Sequence, residues 1–144
     1  MRIVDTSVLL SAAVSSSPHH QAAREALEAA IADERPAGLT WVALNGVIRL
    51  LTRPGVFERT CSVGEAFAIV EQWLAADGVV VVQETPGHAR TWRTLLEAAG
   101  SAGDLTTDAW IAAIAIGHGA SVLSLDSDFA RFPGVVWENP RASS

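Results

Sequence analysis

The sequence predicts an α/β fold, a three-layer α/β/α sandwich with a central, mainly parallel sheet. Short apolar runs alternate with stretches of helical periodicity, which is typical of parallel strands joined by helical crossovers. Four consecutive valines at residues 79–82 predict a strand buried on both faces of such a sheet. The length of 144 residues suits one domain. We therefore expect a single domain over residues 1–140 and a short C-terminal tail at residues 141–144.

Five apolar runs are the predicted strands. The first covers residues 2–4 and the second residues 37–39. The later ones cover residues 79–82, residues 120–125 and an edge strand at residues 135–137. The first strand stops at Asp5 and the fourth at Asp126, so two strands lead directly into an aspartate.

Six helices are predicted between the strands, and polar caps mark where most of them begin. The sixth helix, residues 108–116, is so apolar that it must be buried against the sheet. The fifth covers residues 88–99 and ends at Gly100. The predicted caps of the other helices are, in order, Thr6 or Ser7, Ser17 before Pro18, Thr40, Ser62 in a capping box with Glu65, and Thr106 or Thr107.

The composition excludes several classes of protein. All ten basic residues are arginine, and without lysine there is no phosphate-loop ATPase, no Schiff-base enzyme and no ordinary response-regulator receiver. A single cysteine, Cys61, and four histidines exclude an internal disulfide and a structural zinc site of the usual spacing. The sequence shows neither a signal-peptide pattern nor a long apolar run, so we expect a cytoplasmic protein without membrane contact.

Several aspartates are expected at one edge of the sheet. Ligands of parallel sheets lie beyond the carboxyl ends of the strands, where Asp5 and Asp126 fall. Asp108 begins the apolar sixth helix, Asp128 follows Asp126 by two residues, and Asp104 lies one turn before Asp108. Such carboxylates repel one another unless a cation lies among them, and an all-oxygen site suits Mg²⁺ or Mn²⁺. These ions promote hydrolysis of phosphodiesters, so the pattern predicts a nuclease.

The acidic cluster also changes the meaning of the net charge. A charge of −6 speaks against a nucleic-acid partner only as long as no metal is considered, because a divalent ion among the aspartates would offset much of their charge.

Each aspartate also has an ordinary structural interpretation. Asp108 can interact with a helix dipole, Asp5 can be a cap, and Asp126 and Asp128 can belong to a turn. Their joint placement at one edge favours the metal site.

Three segments in order carry a resemblance to a known family. They read MRIVDTSVLL from residue 1, DAWIAAIA from residue 108 and HGASVLSLDSDFARFPGVVW from residue 118. Together they resemble a PIN-domain ribonuclease, and more narrowly the VapC toxins of bacterial toxin–antitoxin pairs. The resemblance implies a PIN-like sandwich and a Mg²⁺-dependent endoribonuclease, with Mn²⁺ as a substitute ion. It also implies an RNA substrate, inhibition by a VapB-type antitoxin and a homodimer.

The resemblance also implies the roles of individual residues. Asp5, Asp108 and Asp126 match metal ligands, Asp128 matches a fourth catalytic acid, and Ser124 matches the hydroxyl residue before them. Two tryptophans with a neighbouring leucine are candidates for a dimer or antitoxin contact, namely Trp41, Trp73 and Leu74.

One departure from the family leaves alternatives open. The family glutamate on the helix after the second strand is absent, and Gly46 takes its place. Either water or Asp104 fills the gap, or activity is weakened. The alternative function is therefore a catalytically weakened PIN domain that acts as an RNA- or protein-binding module. A haloacid-dehalogenase-type phosphatase is disfavoured, because it carries its Asp-x-Asp motif after the first strand, where this chain has Asp5-Thr6-Ser7.

Overall fold

A computed structural model describes residues 1–143, which form a three-layer α/β/α sandwich around a five-stranded sheet. The strand order is β3-β2-β1-β4-β5, and all four pairings are parallel, as the sequence predicts. Ser144, the last residue of the expected tail, lies outside the described residues. The strands are β1 (Arg2–Val4), β2 (Ala37–Leu39), β3 (Val79–Val81), β4 (Ser121–Leu123) and β5 (Trp137–Glu138).

Six α-helices lie within residues 1–143, and none is long and apolar enough to cross a membrane. Short 3₁₀ helices cover Gly103–Leu105, Ser127–Arg131 and Pro140–Ser143. The α-helices are α1 (Thr6–Ala13), α2 (His20–Ala32), α3 (Trp41–Thr52), α4 (Val63–Leu74), α5 (His88–Ala99) and α6 (Thr106–Gly117).

The helix caps show where local sequence signals succeed. Thr40 caps α3 through the Ala43 N–H, and Ser62 forms the predicted capping box with Glu65 at α4. At α1 the cap is Asp5, because its carboxylate accepts the Ser7 N–H. This confirms the interpretation of Asp5 as a cap, and the prediction of Thr6 or Ser7 as the cap is wrong.

Two other helix starts differ from the prediction. Helix α2 begins at His20, after a turn that contains Ser17 and Pro18. Helix α6 begins at Thr106 itself, and the residue before it, Leu105, forms no side-chain cap. The Thr106 hydroxyl instead donates to the Gly103 carbonyl in the preceding 3₁₀ turn.

The sheet edges correct two predictions about strands. The first three valines of the run form β3, but β3 lies at one edge of the sheet and Val80 is 41% exposed, so the prediction of a strand buried on both faces is wrong. A β-branched run favours a strand without fixing its position in the sheet. Strand β5 begins at Trp137 rather than at residue 135, although the Val136 carbonyl already accepts the Val122 N–H.

Helix α6 passes through the core and thereby positions one part of the site. Its residues Ala109, Ile111 and Ile114 are buried, and the helix packs against α5, β1 and β4. Because the body of the helix is fixed, its first turn, which carries Asp108, is held at the carboxyl edge of the sheet.

Candidate active site

Adjacent parallel strands bring two aspartates to one edge of the sheet. Strands β1 and β4 pair in register, with Val4 opposite Leu123. The Asp5 N–H continues this ladder by donating to the Leu123 carbonyl at 3.0 Å. Asp126 follows β4 three residues later, so both carboxylates lie beyond the carboxyl ends of the central strands, as the sequence predicts.

Asp5 is the deepest acid of the site and is only 4% exposed. One carboxylate oxygen, Oδ2, accepts the Ser7 hydroxyl at 2.8 Å, the Ser124 hydroxyl at 2.7 Å and the Ser7 N–H at 3.4 Å. Burial raises the pKa of Asp5, while these hydrogen bonds oppose the rise. The two serines therefore fix the orientation of a buried carboxyl group that water does not solvate.

The two serine hydroxyls also connect both strand ends. The Ser7 hydroxyl accepts the Leu125 N–H at 3.0 Å, and the Ser124 hydroxyl accepts the Asp126 N–H at 2.9 Å. The two hydroxyl oxygens lie 3.2 Å apart. This network ties the start of α1 to the segment after β4, so the backbone that carries Asp126 is held against Asp5.

Three further aspartates, which are less buried than Asp5, lie close to one another. Asp108, Asp126 and Asp128 each offer a carboxylate oxygen, and these oxygens lie within 4.8 Å of one another. The Asp126 carboxylate also accepts the Asp128 N–H at 2.9 Å, which opens the Ser127–Arg131 3₁₀ helix. All three side chains are half-buried. Asp5 is not one of these three, but its negative charge acts on Asp108 and raises the pKa of that carboxyl. We call Asp5 together with these three residues the acidic group.

The electrostatics of the acidic group show that its charges are not balanced. The pKa of Asp108 is raised to about 8, first by burial, then by the negative charges of Asp5 and Asp126, a hydrogen bond with Asp126 and the charge of Asp128. Burial and the neighbouring negative charges therefore favour the protonated form of Asp108 at neutral pH. A bound cation would reverse this effect, because it favours the ionised carboxylate.

Two positions left open by the sequence lie outside this group. Asp104 is exposed in the Gly103–Leu105 3₁₀ helix and is not among the three aspartates brought together within the described residues. Gly46 faces Thr6, the residue after Asp5; a Cβ atom at Gly46 would lie 2.9 Å from the Thr6 hydroxyl oxygen. The Thr6 hydroxyl itself donates to the Ala43 carbonyl on α3. Helix α3 therefore packs closely against the start of α1, and a larger residue at position 46 would require Thr6 to move.

The sequence did not predict that Ser7 and Arg131 belong to the site. Ser7 was considered only as a helix cap, and its contacts with Asp5 and Leu125 give it a larger role. Arg131 places its Nη1 atom 3.9 Å from Asp128 Oδ1, and its Nη2 atom donates to the Ala99 carbonyl at 3.0 Å. The spacing of three residues between Asp128 and Arg131 is the sequence signal that could have indicated the pair.

Comparison with protein families and curated sequences gives a consistent result. Residues 2–135 match the family described as PIN domain. Over 142 residues the chain is 40% identical to Ribonuclease VapC37 of Mycobacterium tuberculosis, covering 99% of each chain. It is 34% identical over 140 residues to Ribonuclease VapC33 of the same species, covering 97% of this chain and 98% of VapC33.

Solved structures share the fold at lower identity. VapBC2 from Rickettsia felis, bound to a DNA fragment from its promoter, has a TM-score of 0.70 at 16% identity, covering 96% of this chain and 97% of the other. VapC20 of M. tuberculosis, a toxin that cleaves the sarcin–ricin loop, has a TM-score of 0.68 at 20% identity, covering 94% and 97%. The fold, the family match and the full-length relatives agree, and the chain belongs to the PIN-domain family, among the VapC ribonucleases.

Proposed function

We propose that the protein is a Mg²⁺-dependent endoribonuclease toxin that hydrolyses RNA phosphodiester bonds. The observation that carries this proposal is the convergence of four aspartates from three separate parts of the chain at one sheet edge. The pKa of Asp108, raised by burial and by the neighbouring negative charges, is typical of a carboxyl group at a functional site. The relatives named as ribonucleases support the same activity.

The side chains of the acidic group fit a hard divalent ion. All of them offer carboxylate oxygens, and the closest group contains neither a thiolate nor an imidazole within the described residues. Oxygen donors at this spacing suit Mg²⁺, and Mn²⁺ can take the same ligands. When bound, such an ion supplies the positive charge that activates water and neutralises phosphate oxygens. Asp5, Asp108 and Asp126 are the proposed ligands, and Asp128 is the fourth catalytic acid.

The chain's own residues do distinct work around that ion. Ser7 and Ser124 donate hydrogen bonds to one oxygen of Asp5 and thereby fix the orientation of its carboxylate. The Asp128 N–H orients the Asp126 carboxylate in the same way. Asp108 would have to lose its proton to serve as a ligand, so ion binding would be coupled to proton release. Ligands that are oriented in advance lose little entropy when the ion binds.

We also propose a VapB-type antitoxin as the partner and a homodimer as the assembly. Structural relatives were solved as VapBC complexes, which supports an antitoxin that covers part of this fold. Large apolar side chains are exposed on α3 and α4: Trp41 at 55%, together with Val63 and Phe67. Trp73 and Leu74, expected at a contact, are only partly buried. Exposed tryptophan is typical of protein interfaces.

The activity is tested by incubating the purified chain with total RNA, with EDTA or with added Mg²⁺ or Mn²⁺. New 5′ ends that require the ion are expected, and mapping them identifies the substrate. The same incubation with Asp108→Asn should give none. Asp77→Asn is the matched control, since Asp77 is an exposed aspartate two residues before β3, and it should cleave like the parent. If no ends form under either ion, the chain is a binding module rather than a nuclease.

The partner is tested by mixing the purified chain with the VapB-type protein encoded nearest to its gene. A stable complex that no longer cleaves RNA is expected, and light scattering of the free chain should give the mass of a dimer. Trp41→Ala should weaken the complex or the dimer without changing the melting temperature, because Trp41 is largely exposed. A monomer that binds no such protein would contradict the proposed partner and assembly.

A further inference from the structure

Arg131 forms an ion pair with Asp128, a member of the acidic group. Among the ion pairs within residues 1–143, the pair between Arg131 and Asp128 is the one that joins a cation to this group. The Arg131 Nη1 atom lies 3.9 Å from Asp128 Oδ1, and the side chain is 47% exposed. Its Nη2 atom donates to the Ala99 carbonyl at 3.0 Å. The guanidinium group therefore lies beside Asp128 and remains accessible to solvent.

The position of this guanidinium group is fixed by the fold. Arg131 ends the Ser127–Arg131 3₁₀ helix, which is anchored by Phe129 and Phe132, two buried rings in edge-to-face contact at 5.9 Å. Ala99 is the last residue of α5, so its carbonyl lies at the negative end of a helix dipole and attracts a cation. The arginine is thus held by α5 on one side while its contact with Asp128 stays long.

Most of the hydrogen-bonding capacity of Arg131 remains free for a ligand. A guanidinium group has five N–H donors, and the bond to Ala99 uses one of them. The 3.9 Å contact with Asp128 exceeds hydrogen-bond distance. The fork of an arginine matches two oxygens of a phosphate, a geometry that lysine cannot offer.

We propose that Arg131 binds a phosphate of the RNA next to the bond that is cleaved, an inference that rests on the proposed nuclease function. Phosphates approaching the acidic group are repelled by its carboxylates, and a fixed cation at the margin offsets that repulsion. The contact between Arg131 and Asp128 is already long at 3.9 Å, which leaves the guanidinium group available to the substrate. A cation held by Asp128 would weaken this contact further.

The test compares RNA binding by three variants. Arg131→Gln removes the charge, Arg131→Lys keeps the charge and loses the fork, and Arg24→Gln is the control. Arg24 is an exposed arginine on α2 that pairs with Glu28 at 3.0 Å. Arg24→Gln therefore removes one positive charge, as Arg131→Gln does, but at a position outside the acidic group. Each protein is titrated into a short fluorescein-labelled single-stranded RNA of mixed sequence, with Ca²⁺ replacing Mg²⁺, at several salt concentrations. Melting temperatures establish that each variant is folded.

The expected result is specific to a phosphate contact. Arg131→Gln should raise Kd about tenfold and reduce the slope of log Kd against log salt by about 0.7, the value of one contact on a single strand. Arg131→Lys should keep the slope and weaken binding by about threefold. Arg24→Gln should match the parent. In cleavage assays with Mg²⁺, Arg131→Gln should raise KM more than it lowers kcat.

Other outcomes overturn the inference. An unchanged salt slope and KM with a lower kcat would mean that Arg131 only positions Asp128. If Arg131→Gln fails to fold, Arg131→Lys decides, because a Kd equal to that of the parent contradicts a bidentate phosphate contact. A different outcome is that the parent cleaves no RNA under Mg²⁺ or Mn²⁺ while Arg131→Gln still shows a smaller slope of log Kd against log salt than the parent. In that case the nuclease proposal fails and the phosphate contact stands. A parent that binds no RNA overturns both.

Discussion

Acidic side chains cluster at both ends of strand β1, but only the cluster at its start contains a closely paired arginine. At its start, Arg2 lies between two carboxylates, with Nη1 2.7 Å from Asp33 and Nε 3.3 Å from Glu138. The Arg2 hydrogen bond lowers the pKa of Asp33. Beyond its other end, Asp5 joins three more aspartates, and the pKa of Asp108 rises to about 8.

The difference shows which charges the chain balances by itself. The cluster at Arg2 contains its own cation and stabilises the fold modestly. The acidic group contains four carboxylates and lies 3.9 Å from one arginine, so most of its negative charge has no partner among the ion pairs of the described residues. Uncompensated charge that the fold maintains is typical of a functional site rather than of a structural one.

The largest expected effect comes from removing an acid at the uncompensated end. Asp108→Asn or Asp5→Asn should lower metal-dependent RNA cleavage by about 10²–10³-fold or more, because an ion that stabilises the transition state by several kcal/mol loses a ligand. The fold should persist, since neither change removes apolar packing. Cleavage rates and circular dichroism on the same samples measure both. Full activity in either variant would contradict the assignment of that residue.

The pH dependence of stability distinguishes the two ends next. Because the pKa of Asp108 is raised in the folded state, the folded protein binds more protons than the unfolded chain between about pH 4 and pH 8. Stability of the metal-free protein should therefore fall as pH rises through this window, with Tm decreasing by roughly 5–10 °C. The raised pKa of Asp5 acts in the same direction.

Melting curves in EDTA against pH provide the measurement. Asp108→Asn should flatten the curve, and added Mg²⁺ should do the same by favouring the ionised form. A curve of the same slope in Asp108→Asn would show that another group is responsible.

Two serines on the same strand region offer a smaller, matched comparison. Ser124→Ala should cost about 1–3 kcal/mol of unfolding free energy, because the buried Asp5 loses a 2.7 Å donor and the Asp126 N–H loses its acceptor. Ser121→Ala should cost less, since Glu138, the acceptor of the Ser121 hydroxyl, is partly exposed to water and keeps its ion pair with Arg2. Urea unfolding compares the two variants, and equal losses would contradict the role given to Ser124.

The smallest effect is expected at the balanced end. Arg2→Gln removes two partly exposed ion pairs and should lower the unfolding free energy by about 0.2–1 kcal/mol per pair. Metal-dependent cleavage should not change, because Arg2 lies at the other end of β1 from the acidic group. Loss of cleavage without loss of stability would show that the two ends are coupled.

Much of the fold could be predicted from the sequence, because its signals are local. Strand runs, helical periodicity and the caps at Thr40 and Ser62 depend on residues a few positions apart. The aspartates at the ends of β1 and β4 could be assigned to one edge because parallel strands end together. The predicted start of α2 and the predicted cap of α1, Thr6 or Ser7, were wrong, because neighbouring polar residues compete for the capping position.

Only the tertiary structure decided the rest of the site. It joined Ser7 to Ser124 across 117 residues of chain, brought Arg131 to the end of α5, left Asp104 outside the acidic group and packed Gly46 against Thr6. It also placed β3 at the edge of the sheet. These contacts depend on register and packing between distant segments, which no local pattern encodes. The sequence alone determined that this chain carries an acidic, parallel-sheet site; the packing determined which side chains complete it.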